Sequence, residues 1–251
     1  MGPLGAVFSG VILSFLLHIL RPLVDVVFPP VCLSCGGLTG HDGYLCPGCY
    51  GMLQRVQPED RLYRETEAKL RDGGLIDGLW SPFYFERAGV LQDLVHEMKY
   101  GGISGIGRIL GREIARTFRG RYDLSSFSCA IPVPLHRAKL RERGYNQAQE
   151  ICGGIADVSR IPCFPRILVR SRFTSTQTAL DAAARAANVR GAFSIRPAAA
   201  RGLRGASVLL VDDVVTTGAT IRSCAAALRP SGVVRIVAAT IAIAQDDAVS
   251  R

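Results

Sequence analysis

The sequence predicts an α/β protein whose parallel sheet is covered by helices, with a small cysteine-rich module before it. The first observation is an alternation, over residues 127–243, of apolar strand-length segments and segments with helical apolar spacing, an order typical of right-handed βαβ units. The second is two Cys-x2-Cys pairs near the start of the chain. A length of 251 residues with 48% hydrophobic residues suits one ordinary α/β domain plus a small module and excludes a disordered chain.

Residues 4–20 form an almost wholly apolar segment. The residues before it carry no basic side chain and no small-x-small cleavage pattern follows, so a secretory signal is not expected. The run is shorter than the ~20 residues that span a bilayer, and it contains Ser9, Ser14 and His18. We expect a helix that docks onto the protein, with membrane contact through residues 4–20 as the alternative. The expected location of the chain is cytoplasmic.

Two cysteine knuckles follow, Cys32 with Cys35 and Cys46 with Cys49, separated by ten residues rich in glycine. Turns that each present two thiolates suit one tetrahedral metal ion, and a soft sulfur set suits zinc. We therefore predict structural zinc on these four residues. Two disulfides or unrelated thiols are the alternatives, and a cytoplasmic location disfavours disulfides. The other cysteines show no pairing pattern and are predicted to be small buried residues: Cys129, Cys152, Cys163 and Cys224.

The distribution of charged residues and the periodicity of apolar residues set the expected boundaries of the domains and of their helices and strands. The apolar N-terminal helix and the zinc module are assigned to 1–54, a charge-rich linker to 55–80, and the α/β domain to 81–251. Within that domain, helices are predicted over 91–98, 106–118, 146–158 and 220–229, and strands over 127–133, 165–169, 206–211 and 233–243. The strand over 206–211 is continuously apolar, as in a strand buried in the middle of a parallel sheet.

The net charge of +9 is concentrated in the middle of the chain. Residues 108–143 contain nine Lys or Arg against three Asp or Glu, and residues 160–204 contain nine Arg against one Asp. This concentration of positive charge favours a polyanionic partner, namely pyrophosphate, a nucleotide or nucleic acid. A compositional preference for arginine is the alternative explanation. The arginines of the helix over 106–118, taken alone, indicate a solvated face.

The segment with the most candidate ligand-binding residues joins the strand ending at Val211 to the helix beginning at Thr220. Asp212 and Asp213 directly follow the strand, so both carboxylates are expected at the carboxyl edge of the sheet, where open α/β sheets bind ligands. Gly218 then allows a tight turn at a helix N-terminus, an arrangement whose backbone N–H groups bind phosphate. Phosphate binding beside paired carboxylates suits a ribose 5-phosphate. The alternative is a plain strand–turn–helix with capping threonines.

This segment, VLLVDDVVTTGAT over 208–220, resembles the phosphoribosyl-pyrophosphate (PRPP) binding signature of type I phosphoribosyltransferases. Together with the cysteine pairs, it makes nearly the whole chain resemble the ComF/GntX family of competence-related proteins, in which a zinc-binding module precedes a type I phosphoribosyltransferase domain. The resemblance implies that the two aspartates engage the ribose hydroxyls, that the turn holds the 5-phosphate, and that Mg²⁺ accompanies PRPP. The implied PRPP-binding residues are Asp212, Asp213, Val214, Val215, Thr216, Thr217, Gly218, Ala219 and Thr220.

Two further motifs resemble the family and imply a site for pyrophosphate. Pro132, Val133 and Pro134 correspond to the loop that contacts pyrophosphate in related transferases, although a Pro-x-Pro turn is rigid whatever its role. Cations cluster directly after this loop: Arg137, Lys139, Arg141 and Arg143. We assign Arg137 and Lys139 to the pyrophosphate loop, because such side chains bind phosphate oxygens through charge-assisted hydrogen bonds.

The last motif contains Arg170 and Arg172, at the place of the mobile catalytic loop of type I transferases. A cationic lid there would exclude water and stabilise negative charge on the departing pyrophosphate. The predicted catalytic residues are therefore Arg143, Arg170 and Arg172.

Two functions are compatible with the sequence. One is a PRPP-binding protein that supports DNA uptake in natural transformation, as the ComF resemblance implies, with single-stranded DNA and other DNA-uptake proteins as partners. The other is an active phosphoribosyltransferase of nucleotide metabolism without a DNA role, of the amidophosphoribosyltransferase or nucleobase-transferase type. We favour retention of transferase activity. The sequence shows no segment that would read a base, so the acceptor stays open.

Overall fold

The computed structural model describes residues 29–40, 43–118, 120–171 and 191–244. The chain divides into two compact units, Met1–Met52 and Leu53–Arg251. The apolar run over 4–20, with the docking helix predicted there, lies outside the described residues. Within the described ranges, every helix is too short or too polar to cross a membrane.

The first unit is built from tight turns around its cysteines. An antiparallel bridge joins Val31 to Leu38, and the backbone N–H of Cys32 donates to the carbonyl oxygen of Gly37 at 2.7 Å. Helix α1 (Pro47–Gly51) begins after Cys46, whose sulfur accepts from the N–H of Cys49.

The second unit contains the other described helices and strands. They are α2 (Arg61–Arg71), β1 (Gly78–Trp80), β2 (Phe83–Phe85), α3 (Val90–Tyr100), α4 (Gly105–Phe118), β3 (Cys129–Pro132), α5 (Arg137–Arg143), α6 (Gln147–Ser159), β4 (Leu168–Arg170), β5 (Phe193–Ile195), α7 (Pro197–Ala200), β6 (Ser207–Val215), α8 (Ala219–Leu228) and β7 (Arg235–Ala244). Single turns of 3-10 helix lie at Leu124–Ser126, Arg201–Leu203 and Arg229–Ser231.

Five parallel strands form the main sheet, in the order β1-β7-β6-β3, with β2 also paired to β7. In β6, residues 208–211 are buried, and in β7 every residue except Arg235 is buried. Strands buried on both faces are expected where helices cover a parallel sheet. The predicted fold class, an α/β parallel sheet behind a four-cysteine module, is therefore confirmed.

Helices α4 and α6 cross at glycines that let their backbones touch. A Cβ on Gly111 would overlap the carbonyl oxygen of Ile151, and one on Gly154 would overlap that of Arg108. The apolar residues Ile106, Leu110 and others on this face of α4 are buried. Glycine is needed here because of close approach rather than because of an unusual backbone angle.

The segment expected to be a linker is largely regular structure of the second unit. Tyr63 and Leu70 of α2 are buried, and the hydroxyl of Tyr63 donates to the carbonyl oxygen of Leu79 in β1. The surface of α2 is so strongly charged that only a narrow apolar stripe marks its packing face. The linker assignment for 55–80 is corrected accordingly.

Two other expectations need correction. The strand near 165–169 forms as β4, but it pairs antiparallel with β5 in a separate two-stranded sheet. Cys152 and Cys163 form a disulfide, although they were expected to be unpaired. The spacing of these two cysteines does not predict a disulfide. The bond forms because folding brings Cys163 back beside Cys152 in α6. Cys129 and Cys224 are free and buried, as predicted.

Candidate functional site

Strand β6 carries two carboxylates past the end of its neighbour β3. Pro132, the last residue of β3, lies opposite Val211, and β6 continues through Asp212 and Asp213 to Val215, paired on its other side with β7. The strand is thus longer than the sequence predicted, and the aspartates lie in the part of β6 that extends beyond β3, at the carboxyl edge of the sheet. The N–H of Asp213 donates to Oδ1 of Asp212 at 2.9 Å, which fixes the first carboxylate against the backbone.

The two carboxylates differ in charge state. Burial, reinforced by the negative charge of Asp213, raises the pKa of Asp212 to about 7. Burial also opposes ionisation of Asp213, but the ammonium of Lys99, with its Nζ 2.6 Å from Oδ2, lowers the pKa of Asp213 below its ordinary value. The N–H of Val214 donates to Oδ1 of Asp213 at 2.6 Å and acts in the same direction. The site therefore holds one ionised carboxylate beside one that titrates near neutrality.

The turn after β6 has the geometry of an anion-binding loop. Gly218 has φ +71°, and a Cβ there would overlap Cδ2 of Leu70 from α2. Helix α8 begins at Ala219, whose N–H donates to Oγ1 of Thr217 at 3.3 Å. The remaining first-turn amides of a helix have no intrahelical acceptor and carry the positive end of the helix dipole. This loop can therefore accept a phosphate.

Three of the predicted cations lie together near the acid pair. Burial, followed by the nearby charges of Arg143 and Arg170, lowers the pKa of Lys139. Burial also lowers the pKa of Arg170, and the negative charge of Asp212 partly offsets this lowering. Like charges crowded in a half-buried place are costly unless an anion joins them, so this cluster suits a polyanion.

Arg143 is held by two neighbouring side chains. Its Nη1 donates to Oε1 of Gln147 at 3.0 Å, and its guanidinium lies 5.2 Å from the ring centre of Tyr100. Its Nε is buried and has no hydrogen-bond partner among the described residues. Arg137, by contrast, is exposed at the start of α5. Arg172 lies outside the described residues, as do Thr174 to Arg190.

The Pro-x-Pro loop is held between β6 and α6. The N–H of Val133 donates to the carbonyl oxygen of Val211 at 2.8 Å, and Nδ2 of Asn146 donates to the carbonyl oxygen of Val133 at 3.0 Å. Pro132 ends β3 and Pro134 follows half-buried. The loop therefore stands at the same sheet edge as the acid pair, because β3 is the neighbour of β6.

The arginine stripe of α4 is largely neutralised by acidic neighbours. Arg108 and Arg112 both donate to the carboxylate of Asp157, at 2.7–3.1 Å. Arg116 lies 3.8 Å from Glu113. The stripe is thus a solvated, ion-paired face, as the sequence indicated.

In the first unit, the four predicted cysteines converge. The sulfurs of Cys32, Cys35, Cys46 and Cys49 all lie within 4.8 Å of one another. The N–H groups of Gly37 and Cys49 donate to the sulfurs of Cys35 and Cys46, at 3.4 Å each. A cluster of four thiols with amide donors to sulfur can bind one tetrahedral zinc ion.

The chain is similar to several known proteins. A family model described as phosphoribosyl transferase domain matches residues 164–250. Competence protein F of Haemophilus influenzae is 33% identical over 149 residues, which cover 58% of this chain and 65% of that protein, so the match spans just under two thirds of this relative. DNA utilization protein YhgH of Salmonella typhi is 28% identical over 205 residues, and competence protein ComFC of Bacillus subtilis is 26% identical over 209 residues. Each of these two matches covers 80% of this chain and 79% of the relative.

The chain is similar to competence proteins of the ComF type. Its second unit is a phosphoribosyltransferase-type domain, and its first unit carries the four-cysteine cluster. Among solved structures, the allosteric regulatory enzyme of purine biosynthesis is similar to 53% of this chain and 25% of that chain, at 21% identity and a TM-score of 0.36. The fold assignment comes from the sheet order and the family model.

Sequence reasoning missed one charged residue of this site. Lys99 lies in the last turn of α3 and contacts Asp213, yet the sequence predicts only a helix stop at the Lys-Tyr-Gly-Gly segment. Tyr145 and Gln147, noted as the start of a helix, both donate to the carbonyl oxygen of Met98 beside it. A basic residue followed by glycines is the signal that could have drawn attention to Lys99.

Proposed function

We propose that this chain binds PRPP with Mg²⁺ at the carboxyl end of β6. The observation that carries the proposal is the juxtaposition of an acid pair, a phosphate-accepting turn and a half-buried cation cluster. PRPP has the matching order of groups, with a 5-phosphate, vicinal hydroxyls and a pyrophosphate.

Each part of the site suits one part of that ligand. The turn over 216–220 would bind the 5-phosphate through its backbone N–H groups. The ionised Asp213 would accept ribose hydroxyls, and Lys139, Arg143 and Arg170 would bind pyrophosphate oxygens. A carboxylate oxygen of Asp212 fits Mg²⁺, which is commonly held by one or two carboxylates plus substrate phosphates and would neutralise charge on the pyrophosphate.

The transferase reaction itself would transfer the ribosyl 5-phosphate from PRPP to a nitrogen nucleophile. This chain's cations would stabilise the departing pyrophosphate, and its carboxylates would orient the ribose. Among the described residues we identify no side chains arranged to read a base. The proposal therefore includes PRPP binding and retained transferase activity. The acceptor stays open.

A role in the use of incoming DNA in the cytoplasm is the wider function we propose. Its support is the names of the relatives, competence protein and DNA utilization protein, together with the basic middle of the chain. Single-stranded DNA and other DNA-uptake proteins are the proposed partners. A transferase of nucleotide metabolism without a DNA role is the second candidate, favoured by the completeness of the acid pair and cation cluster.

Calorimetric titration with Mg²⁺ and PRPP tests the site. Arg143→Met should weaken PRPP binding about tenfold to a hundredfold, because a charge-assisted Arg contact is worth ~1.5–3 kcal/mol. Ribose 5-phosphate, which lacks pyrophosphate, should be affected much less. Arg141→Met is the matched control, since Arg141 is exposed on the same helix. Equal losses in both variants, or a wild-type protein that binds neither ligand, would contradict the proposal.

The DNA role needs a separate measurement. Anisotropy of a labelled single-stranded oligonucleotide should report binding that weakens with salt, with a slope of about −0.7 per phosphate contacted. Wild-type protein that binds PRPP but no oligonucleotide would leave the nucleotide-metabolism transferase as the better candidate.

A further inference from the structure

Lys99 reaches into the acid pair from a different part of the chain. Its Nζ lies 2.6 Å from Oδ2 of Asp213, and the two side chains are 23% and 19% exposed. Lys99 is the last basic residue of α3, which ends one residue later at Tyr100. A half-buried ion pair of this kind costs desolvation free energy that a well-packed apolar pair would not. Its presence beside a ligand site therefore suggests a role in that site.

Several contacts hold the end of α3 against the site. The hydroxyl of Tyr145 and Nε2 of Gln147 both donate to the carbonyl oxygen of Met98, the latter at 3.5 Å. Met98 and Gln147 are buried, and Tyr100 is covered on one side by the guanidinium of Arg143. Lys99 thus extends from a helical backbone position that is held by Tyr145, just before α6, and by Gln147, the first residue of α6.

Hydrogen bonding at Asp213 leaves room for a diol. Oδ1 accepts from the N–H of Val214 and Oδ2 accepts from Lys99. Each carboxylate oxygen can accept about two hydrogen bonds, so each retains capacity for one more. Two acceptor positions on one rigid, ionised carboxylate match the two vicinal hydroxyls of a ribose.

We propose that Lys99 is a positioning residue whose ammonium, through its ion pair with Oδ2, orients the Asp213 carboxylate for the vicinal hydroxyls of the ribose ring. The inference rests on the proposed PRPP site and deepens it, since it assigns ribose recognition to a pair of residues. Lys99 would act through Asp213 and would make no contact with the pyrophosphate.

Sugar specificity separates this role from a merely structural one. Calorimetry with ribose 5-phosphate and 2-deoxyribose 5-phosphate should show wild-type preference for ribose. Lys99→Met should weaken ribose 5-phosphate about tenfold, the size of one charge-assisted hydrogen bond, and should bring the ribose-to-deoxyribose ratio close to one. Lys99→Arg should restore most of the preference because it keeps the charge. Lys69→Met, at an exposed lysine of α2, is the matched control and should change neither affinity.

A double-mutant cycle tests the path through Asp213. On an Asp213→Asn background, Lys99→Met should have almost no further effect on ribose 5-phosphate. Undiminished loss on that background would overturn the inference. So would a Lys99→Met variant that weakens PRPP and leaves ribose 5-phosphate unchanged, because Lys99 would then contact pyrophosphate directly.

Fluorescence of the single tryptophan, Trp80, reports whether each variant is folded. If Lys99→Met does not fold, Tyr145→Phe replaces it, and loss of the bond to Met98 should then reduce ribose preference partially. Unchanged preference in Tyr145→Phe would overturn the inference in that case. Wild-type protein that binds no PRPP and no ribose 5-phosphate would refute the proposed function itself, a result distinct from every outcome in which only the variants disagree.

Discussion

Replacing Asp212 with Asn should stabilise the folded protein at alkaline pH. In the folded chain, burial and the charge of Asp213 raise the pKa of Asp212 to about 7, whereas an unfolded Asp carboxyl ionises near pH 3.8. Between these two values the unfolded state has lost its proton and the folded state retains it. The free energy of unfolding therefore falls as pH rises through this window and stays lowered above it.

The structure sets the size of the effect. Each pH unit between the two pKa values corresponds to about 1.4 kcal/mol, so the full penalty has a ceiling of about 4 kcal/mol. Partial exposure and relaxation reduce it, and we expect Asp212→Asn to gain about 2 kcal/mol more at pH 8 than at pH 5. Asparagine keeps an oxygen that can accept from the N–H of Asp213, so the local backbone contact survives.

Urea unfolding followed by Trp80 fluorescence at pH 5 and pH 8 measures this difference. Comparison of variant with wild type cancels the titration of the groups that do not interact with Asp212. Asp213→Asn is a control of opposite sign, because Lys99 lowers the pKa of Asp213. The Asp213 carboxylate therefore stabilises the folded protein above its unfolded pKa, and this stabilisation is lost only as the pH falls through the folded pKa. A gain for Asp212→Asn that is the same at both pH values, or a loss that grows with pH, would refute the reasoning.

Further predictions concern packing, the phosphate loop and the metal. Gly154→Ala should lower the free energy of unfolding by about 1–3 kcal/mol in urea titrations, because a Cβ there meets backbone; Gly153→Ala on the same helix, where a Cβ finds an ordinary 3.7 Å contact, should be close to neutral. Gly218→Ala should reduce PRPP affinity at least tenfold in calorimetry, because φ +71° and Leu70 both oppose a side chain; retained affinity would exclude this turn as the phosphate site. Elemental analysis should find one zinc per chain. The Cys46→Ser variant should lose this zinc without altering the unfolding midpoint of the second unit. Absence of stoichiometric metal under reducing conditions would reject the zinc site.

The parts of the fold that could be predicted are those whose signal is local. The run over 208–220 contains its strand, its carboxylates and its turn within thirteen residues, and the structure has these elements in the predicted order, with the carboxylates near the end of β6 and the turn before α8. The two cysteine knuckles are equally local. Long, strongly periodic helices such as α3 and α4 also agree with their predicted ranges within one or two residues.

The parts that could not be predicted depend on contacts between distant segments. Lys99 is ordinary in sequence, and only the crossing of α3 over the sheet edge brings it to Asp213. The disulfide between Cys152 and Cys163 likewise requires knowledge of where the chain goes after α6. Helix α2 was missed because its mean hydropathy is low, and burial of Tyr63 and Leu70 is decided by their partners rather than by their neighbours in sequence.

The position of α2 behind the phosphate-accepting turn has a practical consequence for anyone expressing part of this protein. A shortened protein beginning at residue 81 would keep the whole 208–220 segment but would lose Leu70 from behind Gly218. It would also lose β1, leaving the Val237–Ala239 stretch of β7 without one of its partners. Unpaired apolar strand edges promote aggregation. Soluble material is therefore expected from a boundary at Leu53, where the compact unit begins, and not from one drawn where the charged segment ends.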